Sequence, residues 1–258
     1  MSNKSEQTIS SVETSFTIVE FLLRNGPASV SEIASGTGIP KSTTYVHLQT
    51  LHNAGRVVRD GNQYDLGLEY LRIGTQARRR RDIYQAAKSQ IDRLADETGE
   101  AAHVGVEENG QRVILYKSER EAAVYDNTPT GEFTNLHWTA IGKAILSSYS
   151  ETRVREVVDQ HGLPKATNNT ITDVEALLEE LERSRERGYA IESEERREGV
   201  VAVGMPILET SSDRVIAAVS ISGPRDRIRS DQDGAIRDVL LEDLRNRANI
   251  TELRYNHY

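Results

Sequence analysis

The sequence predicts an α+β chain in two parts, and three observations predict it. Apolar residues recur at helical spacing up to Gly55, a tight turn between two short β-rich runs follows, and from Ala101 onward strand-like segments flank a block of helical ones. The 258 residues are enough for one large or two ordinary domains and for a sizeable core.

Composition narrows the function classes. No apolar run approaches the roughly 20 residues of a membrane-spanning helix, so no membrane contact is expected. The opening "MSNKSEQTIS" lacks the apolar centre of a signal peptide, which leads us to expect a cytoplasmic protein. With no cysteine, disulfides, thiol redox chemistry and cysteine-ligated metals are excluded. The six histidines, at 47, 52, 103, 137, 161 and 257, form no metal-ligand spacing, so neither metal nor cofactor is expected. The net charge of −8 is uneven: residues 1–83 carry 10 basic and 8 acidic side chains, the remainder 22 and 32. A slightly basic head on an acidic body suits a protein that presents one small surface to a polyanion.

The elements of the head follow in order. "SSVETSFTIVEFLLRNGPAS" places Val12, Phe16, Val19, Leu22 and Leu23 on a helical stripe that stops at Gly26-Pro27. Ser29 with Glu32 reads as a capping box that opens a short second helix, ended by Gly36 and Gly38. Pro40 suits the first position of a third helix, "IPKSTTYVHLQTLHNAG", whose inner face carries Ile39, Thr44, Leu48, Leu51 and Gly55. Its outer face, with Ser42, Thr43, Tyr45, Val46 and Gln49, is nearly uncharged, unlike a merely solvated helix. Strands at 56–59 and 62–66 around Asp60-Gly61 complete a winged helix-turn-helix. In that arrangement Ser42, Thr43, Tyr45 and Gln49 meet base edges or phosphates, and Lys41, Arg56 and Arg59 supply charge. A winged helix that docks on protein is the alternative.

Beyond the wing, Leu68 and Leu71 continue a helical stripe, Gly74 interrupts it, and Tyr84, Ala87, Ile91 and Leu94 resume it. Residues 78–81, all Arg, read as a solvated run. In the body, "AAHVGVEENGQRVILYKSE" is a hairpin about Asn109-Gly110 and "EAAVYD" a third strand. "TAIGKAILSSYS" is a helix, Ser150 caps the next, Thr172 with Glu175 opens another, and Ser230 caps the last. The runs "YAIES", "GVVAVGMPIL" and "RVIAAVSISG" are strands, giving an antiparallel sheet with helices. Glu192, Glu194 and Glu195 in "ESEERRE" read as a solvated loop; the other reading, an acid/base pair of Glu192 and Glu195, lacks any completing motif. Ser220 and Ser222 alternate onto one side of an apolar strand, where buried hydroxyls need partners that a small polar ligand would supply.

Three segments, "GIPKSTTYVHLQTL", "LHWTAIGKAIL" and "GYAIESEERREGVVAVGMPIL" followed by "AAVSISGP", resemble the IclR family of transcription regulators over nearly the whole chain. The resemblance implies a polar tail at 1–8, a winged helix-turn-helix at 9–69, a linker helix at 70–84, and a GAF-like effector-binding and oligomerisation domain at 85–258. It implies double-stranded operator DNA as one partner and a small effector as the other, a small organic acid or a sugar-derived metabolite, in a homodimer or a dimer of dimers. The DNA face then comprises Ser29, Lys41, Ser42, Thr43, Tyr45, Val46, Gln49, Arg56 and Arg59. The effector site maps onto His137, Trp138, Thr139, Ala140, Ile141, Glu192, Ala202, Ser220 and Ser222, with the helix start near Thr139 suited to an anion. Val46 stands where the family usually has Arg, His47 where it has Leu, and Glu192 where it has Asp. The function expected is transcription regulation through metabolite-controlled operator affinity, with no enzymatic activity; a dimeric DNA binder with a vestigial pocket is the alternative, and an enzyme a remote one.

Overall fold

Glycines and caps set most of the element boundaries. The computed structural model of the chain describes residues 8–121, 128–230 and 234–257, and the chain divides into two compact units, Met1–Ala77 and Arg78–Tyr258. The first unit runs α1 (Ser10–Asn25), β1 (Ala28–Ser29), α2 (Val30–Thr37), α3 (Lys41–Asn53), β2 (Val57–Asp60), β3 (Gln63–Leu66) and α4 (Glu69–Arg79), α4 carrying the chain across the boundary. Ser29 and Glu32 form the capping box, and β2 and β3 pair as a hairpin with β1 on the far edge of β3. Ile18, Leu22, Ile33, Leu48, Val57 and Tyr64 are the core.

Several expectations need correction here. Of the α1 stripe, only Leu22 is in the core; Phe16 and Leu23 are 61% and 69% exposed. Two apolar faces share this helix, and the one through Ile18 and Leu22 packs inward. Gly36 does not end α2; it lies inside the helix against the ring of Phe21, and Gly38, in the left-handed conformation, is the terminator. Pro40 precedes α3 as its N-cap instead of opening it. Gly74 does not interrupt α4, since one exposed glycine costs a helix only about 1 kcal/mol. The break falls instead at Arg80 and Arg81, so residues 70–84 are not one continuous helix.

The second unit continues with α5 (Asp82–Thr98), β4 (Ala101–Glu108), β5 (Gln111–Ser118), β6 (Phe133–Asn135), α6 (Ala140–Leu146), α7 (Glu151–His161), α8 (Val174–Arg187), β7 (Ala190–Ser193), β8 (Val200–Glu209), β9 (Arg214–Pro224), α9 (Arg225–Ile228) and α10 (Asp238–Tyr255). Its six strands form an antiparallel sheet in the order β6-β5-β4-β9-β8-β7. One face packs α5 and α10 over Val104, Val203, Val219 and Ile221; the other packs α6, α7 and α8 around Ile114, Ile141, Ile145 and Ala218. The strand expected at "EAAVYD" lies almost wholly outside the described residues. Two caps shift: Asp173, accepting from the N–H of Ala176 at 2.9 Å, opens α8 in place of Thr172, and α10 starts after Arg237, leaving Ser230 in the preceding turn. The arginine run is not solvated throughout: Arg78 lies 4.7 Å over the Tyr84 ring and Arg81 pairs with Glu108 at 2.7 Å. Among the described residues no helix is long and apolar enough to cross a membrane.

Backbone meets backbone where α6 lies on the sheet. A Cβ at Gly204 would stand 2.7 Å from the carbonyl group of Ala140, and one at Gly142 2.1 Å from the carbonyl oxygen of Leu136. Gly204→Ala is therefore expected to lower stability by about 1–3 kcal/mol, the usual cost of overpacking. Urea unfolding followed by the fluorescence of Trp138, the single tryptophan, should show an earlier midpoint with an unchanged slope.

Candidate functional site

Strand register collects two adjacent rows of residues on one face of the sheet beneath the start of α6. His103 on β4 pairs with Ser220 on β9, Ser220 with Gly204 on β8, Ser222 with Ala202, and Ala202 with Glu192 on β7. Directly paired residues share a face, so these side chains point to the side that α6 covers. Thr139 caps α6 by accepting the N–H of Gly142 at 3.0 Å. Between roof and sheet lies a cavity of about 270 Å³ lined by Thr139, Ala140, Ile141, Glu192, Ala202, Ser220 and Ser222, together with His103, Arg112, Arg196, Arg197 and Val200.

His137 and Trp138 do not line this cavity. The buried His137 shares a hydrogen bond with the Pro164 carbonyl at 3.1 Å, and Trp138 donates to Thr134 at 3.0 Å. Both belong to the segment that leads into α6, and their rings lie 5.0 Å apart. Burial holds the His137 imidazole below its usual range, so it is neutral and donates from Nε2. Sequence reading missed the arginines and His103, whose place across from Ser220 is set by the pairing of β4 with β9.

Two carboxylates of the "ESEERRE" loop, Glu192 and Glu195, are buried, contrary to the solvated reading, whereas Glu198 is exposed. Glu192 Oε1 accepts the N–H groups of Glu195 and Arg196 at 2.7 and 3.2 Å, and burial pushes its carboxyl up to about 7. Glu195 pairs with Lys143 of α6 at 2.5 Å, with Lys143 only 1% exposed. Arg196 donates to Thr128 and to Glu132, at 2.7 and 2.8 Å, and Arg112 pairs with the other oxygen of Glu132. Ser220, though buried, makes no side-chain hydrogen bond among the described residues. Three guanidiniums, a neutralisable carboxyl and a spare hydroxyl make a setting for a small anion. Among the described residues no cluster of His, Asp or Glu could hold a metal ion.

In the first unit, Lys41, Ser42 and Thr43 are exposed, and Tyr45 and Val46 are 48% and 62% exposed on the same side of α3. Gln49 donates to the Tyr64 hydroxyl at 3.1 Å, tying the helix to the wing. Arg59 bonds the Gly61 carbonyl at 2.9 Å at the wing tip. Arg56 is paired with Glu69 at 3.4 Å, so its charge is partly offset. Ser29 is taken up by its cap, and His47 by Ser15 of α1 at 2.8 Å.

A trihelical unit with a wing, followed by a six-stranded sheet that floors a small cavity beneath α6, is the architecture of a two-domain regulator. The family model of the IclR helix-turn-helix domain matches residues 11–61, and that described as bacterial transcriptional regulator IclR C-terminal matches residues 75–250; the chain belongs to the IclR family of transcriptional regulators. It is similar to a probable HTH-type transcriptional regulator, ArcR, of Halobacterium salinarum, at 29% identity over 98% of this chain and 96% of that one. It is 31% identical to the HTH-type transcriptional repressor AllR of Salmonella typhi, over 86% of this chain and 82% of the other. The IclR structure of Thermotoga maritima superposes with a TM-score of 0.77 at 29% identity, covering 96% of this chain and all of that one.

The elevated Glu192 carboxyl has a pH consequence. The folded chain holds this proton up to about 7, the unfolded chain only to its ordinary value of 4.5. Between these the folded state binds more protons, so stability is fully present below 4.5 and falls as pH rises through the window, by on the order of 3 kcal/mol. Glu192→Gln keeps a carbonyl acceptor for the two N–H groups, and its unfolding midpoint is expected to lose most of this pH dependence. A midpoint that varies with pH as in the wild type would assign the titration to another group.

Proposed function

We propose that the chain binds an operator through α3 and the wing, and that a small organic anion in the cavity beneath α6 sets how tightly it does so. It acts as a regulator in the cytoplasm and not as an enzyme. The observation that carries this is the partnerless Ser220 hydroxyl in a cavity ringed by Arg112, Arg196 and Arg197. A buried hydroxyl without a protein partner is uncommon and calls for one from outside. The cavity holds on the order of nine water volumes, which selects a compact effector. Neutral Glu192 donates to a ligand oxygen, whereas the ionised form repels an anion, so affinity for an anionic effector rises as pH falls through about 7.

The DNA face divides by chemistry. Lys41 forms no ion pair among the described residues and stands at the start of α3, whose cap offers no side-chain acceptor, leaving first-turn N–H groups open to a phosphate. Gln49 has committed an N–H to Tyr64 and keeps its carbonyl oxygen for a base-edge amino group. A homodimer accords with the second face of α1, where Ile9, Val12, Phe16 and Leu23 are exposed with Val19 between them at alternating spacings of three and four. That is a heptad seam without its partner helix. Leu68 and Leu71 are likewise exposed.

Lys41→Ala is expected to weaken binding to every DNA and to reduce the salt slope by about one unit. Gln49→Ala should relax preference at one base pair, by about 1–3 kcal/mol. Anisotropy titrations at several salt concentrations separate the two, and equal losses across all sequences would overturn the division. With operator DNA in hand, small organic acids are titrated into the complex. Ser220→Ala should weaken the response by about 1.5–3 kcal/mol, a hydrogen bond to a charged group, with ligand-free operator affinity unchanged. If no organic acid alters operator binding, or Ser220→Ala responds like the wild type, the pocket reading fails.

A further inference from the structure

The central strands of the sheet part company at one end. β4 and β9 pair from Ala101↔Ser222 to Gly105↔Ala218, and among the described residues the pairing goes no further, although β4 runs on to Glu108 and β9 begins at Arg214. Past that point β4 stays with β5, as far as Glu108↔Gln111, and β9 with β8, as far as Glu209↔Arg214. Register shifts at Val104/Gly105 and at Ile207/Leu208 turn the two pairs away from each other, as bulges do. The notch between them is a cavity of about 410 Å³, within the range of roughly 300–1,000 Å³ typical of small-molecule sites.

The notch has a small apolar floor, two tyrosines in its walls and a lining that is otherwise polar and mainly cationic. Val106, Ile145 and Ile216 line it, with Tyr149 from the turn after α6 and Tyr255 from the end of α10. Arg80, Arg81 and Arg214 stand at it. Arg81 is engaged by Glu108 at 2.7 Å, Arg214 approaches Glu209 only to 3.8 Å, and Arg80 has no side-chain partner among the described residues. The acidic groups that face the notch are Asp82 and Glu107. Glu107 is occupied: one oxygen accepts the Gly110 N–H at 2.5 Å and the other the Tyr149 hydroxyl at 3.1 Å.

We propose that this notch is a second small-molecule site, distinct from the cavity beneath α6, which takes an organic anion with a flat apolar body, its rings between Tyr149 and Tyr255 and its charge on Arg80 and Arg214. Burial pushes the Tyr149 phenol up to about 12, so it remains a neutral wall at physiological pH. The site has a structural consequence through chain continuity. Arg80 and Arg81 are the two residues between α4 and α5, so an occupant fixes the turn between these two helices.

The test uses the full chain and anilinonaphthalene sulfonate, an aromatic anion whose fluorescence rises in apolar surroundings. Saturable binding is expected, weakened at least about tenfold in Arg80→Ala/Arg214→Ala, both of which remove exposed side chains. A variant that loses two charges elsewhere, Arg24→Ala/Arg183→Ala, and the pocket variant Ser220→Ala should both bind as the wild type does. Wild-type affinity in Arg80→Ala/Arg214→Ala overturns the proposal. So does an equal loss in the charge control, which would mean general electrostatic attraction, or a loss in Ser220→Ala, which would move the probe to the cavity beneath α6. The effector titrations on the operator complex are read independently, so either site can fail without the other.

Discussion

One buried ion pair, Lys143 with Glu195, holds the effector domain's cavity in shape. Lys143 belongs to the roof helix and Glu195 to the loop that supplies the arginine wall, and the pair joins them out of water. The loop is then fixed from every side. Glu195 Oε1 also accepts the N–H of Ser193 at 3.2 Å, and its backbone carbonyl accepts the hydroxyls of Thr170 and Thr167 at 2.5 and 3.2 Å. Its own N–H reaches Glu192. Neither charge has water to fall back on, so losing one partner strands the other at a cost of about 3–5 kcal/mol. That penalty makes the geometry close to all-or-none.

From this fixed point the electrostatics of the cavity follow. Arg196, the next residue after Glu195, is carried to where it reaches Thr128 and Glu132, and Glu132 in turn takes Arg112 from β5. One carboxylate therefore spans two guanidiniums, leaving a net positive wall opposite Glu192. The low dielectric that raises the Glu192 carboxyl also strengthens whatever charged group enters.

What the sequence disclosed and what it withheld separate along a physical line. Local signals were legible: the capping box of Ser29 and Glu32, the cap at Ser150, the hairpin turns, and the uncharged outer face of α3. The serines of β9 were legible as well, because a period of two needs only neighbouring residues. Arg112, Arg196 and His103 were not, since their convergence depends on pairings between strands far apart in the chain. Caps failed where two candidates competed, Thr172 against Asp173, because the choice rests on which oxygen meets the free N–H. His137 and Trp138 adjoin Thr139 in sequence yet turn to other partners, and no periodicity marks that turn. On α1 the error was one of assignment: its apolar stripe was plain, but nothing in the spacing tells a face turned to the core from a face left at the surface.

The contact between α6 and the sheet is made at Gly204, main chain against main chain, and Gly142 lets the backbone of Leu136 lie against the same helix. A roof seated in this way is held by main chain, by Ile141 and Ile145 in the core, and by the pair of Lys143 with Glu195. Ala202, Ser220 and Ser222 stand apart from that support, so small residues can be exchanged there while the frame around them keeps its dimensions. Chemical preference and architecture are specified by different residues, and one scaffold can be refitted to a new molecule by a few substitutions that the fold does not register.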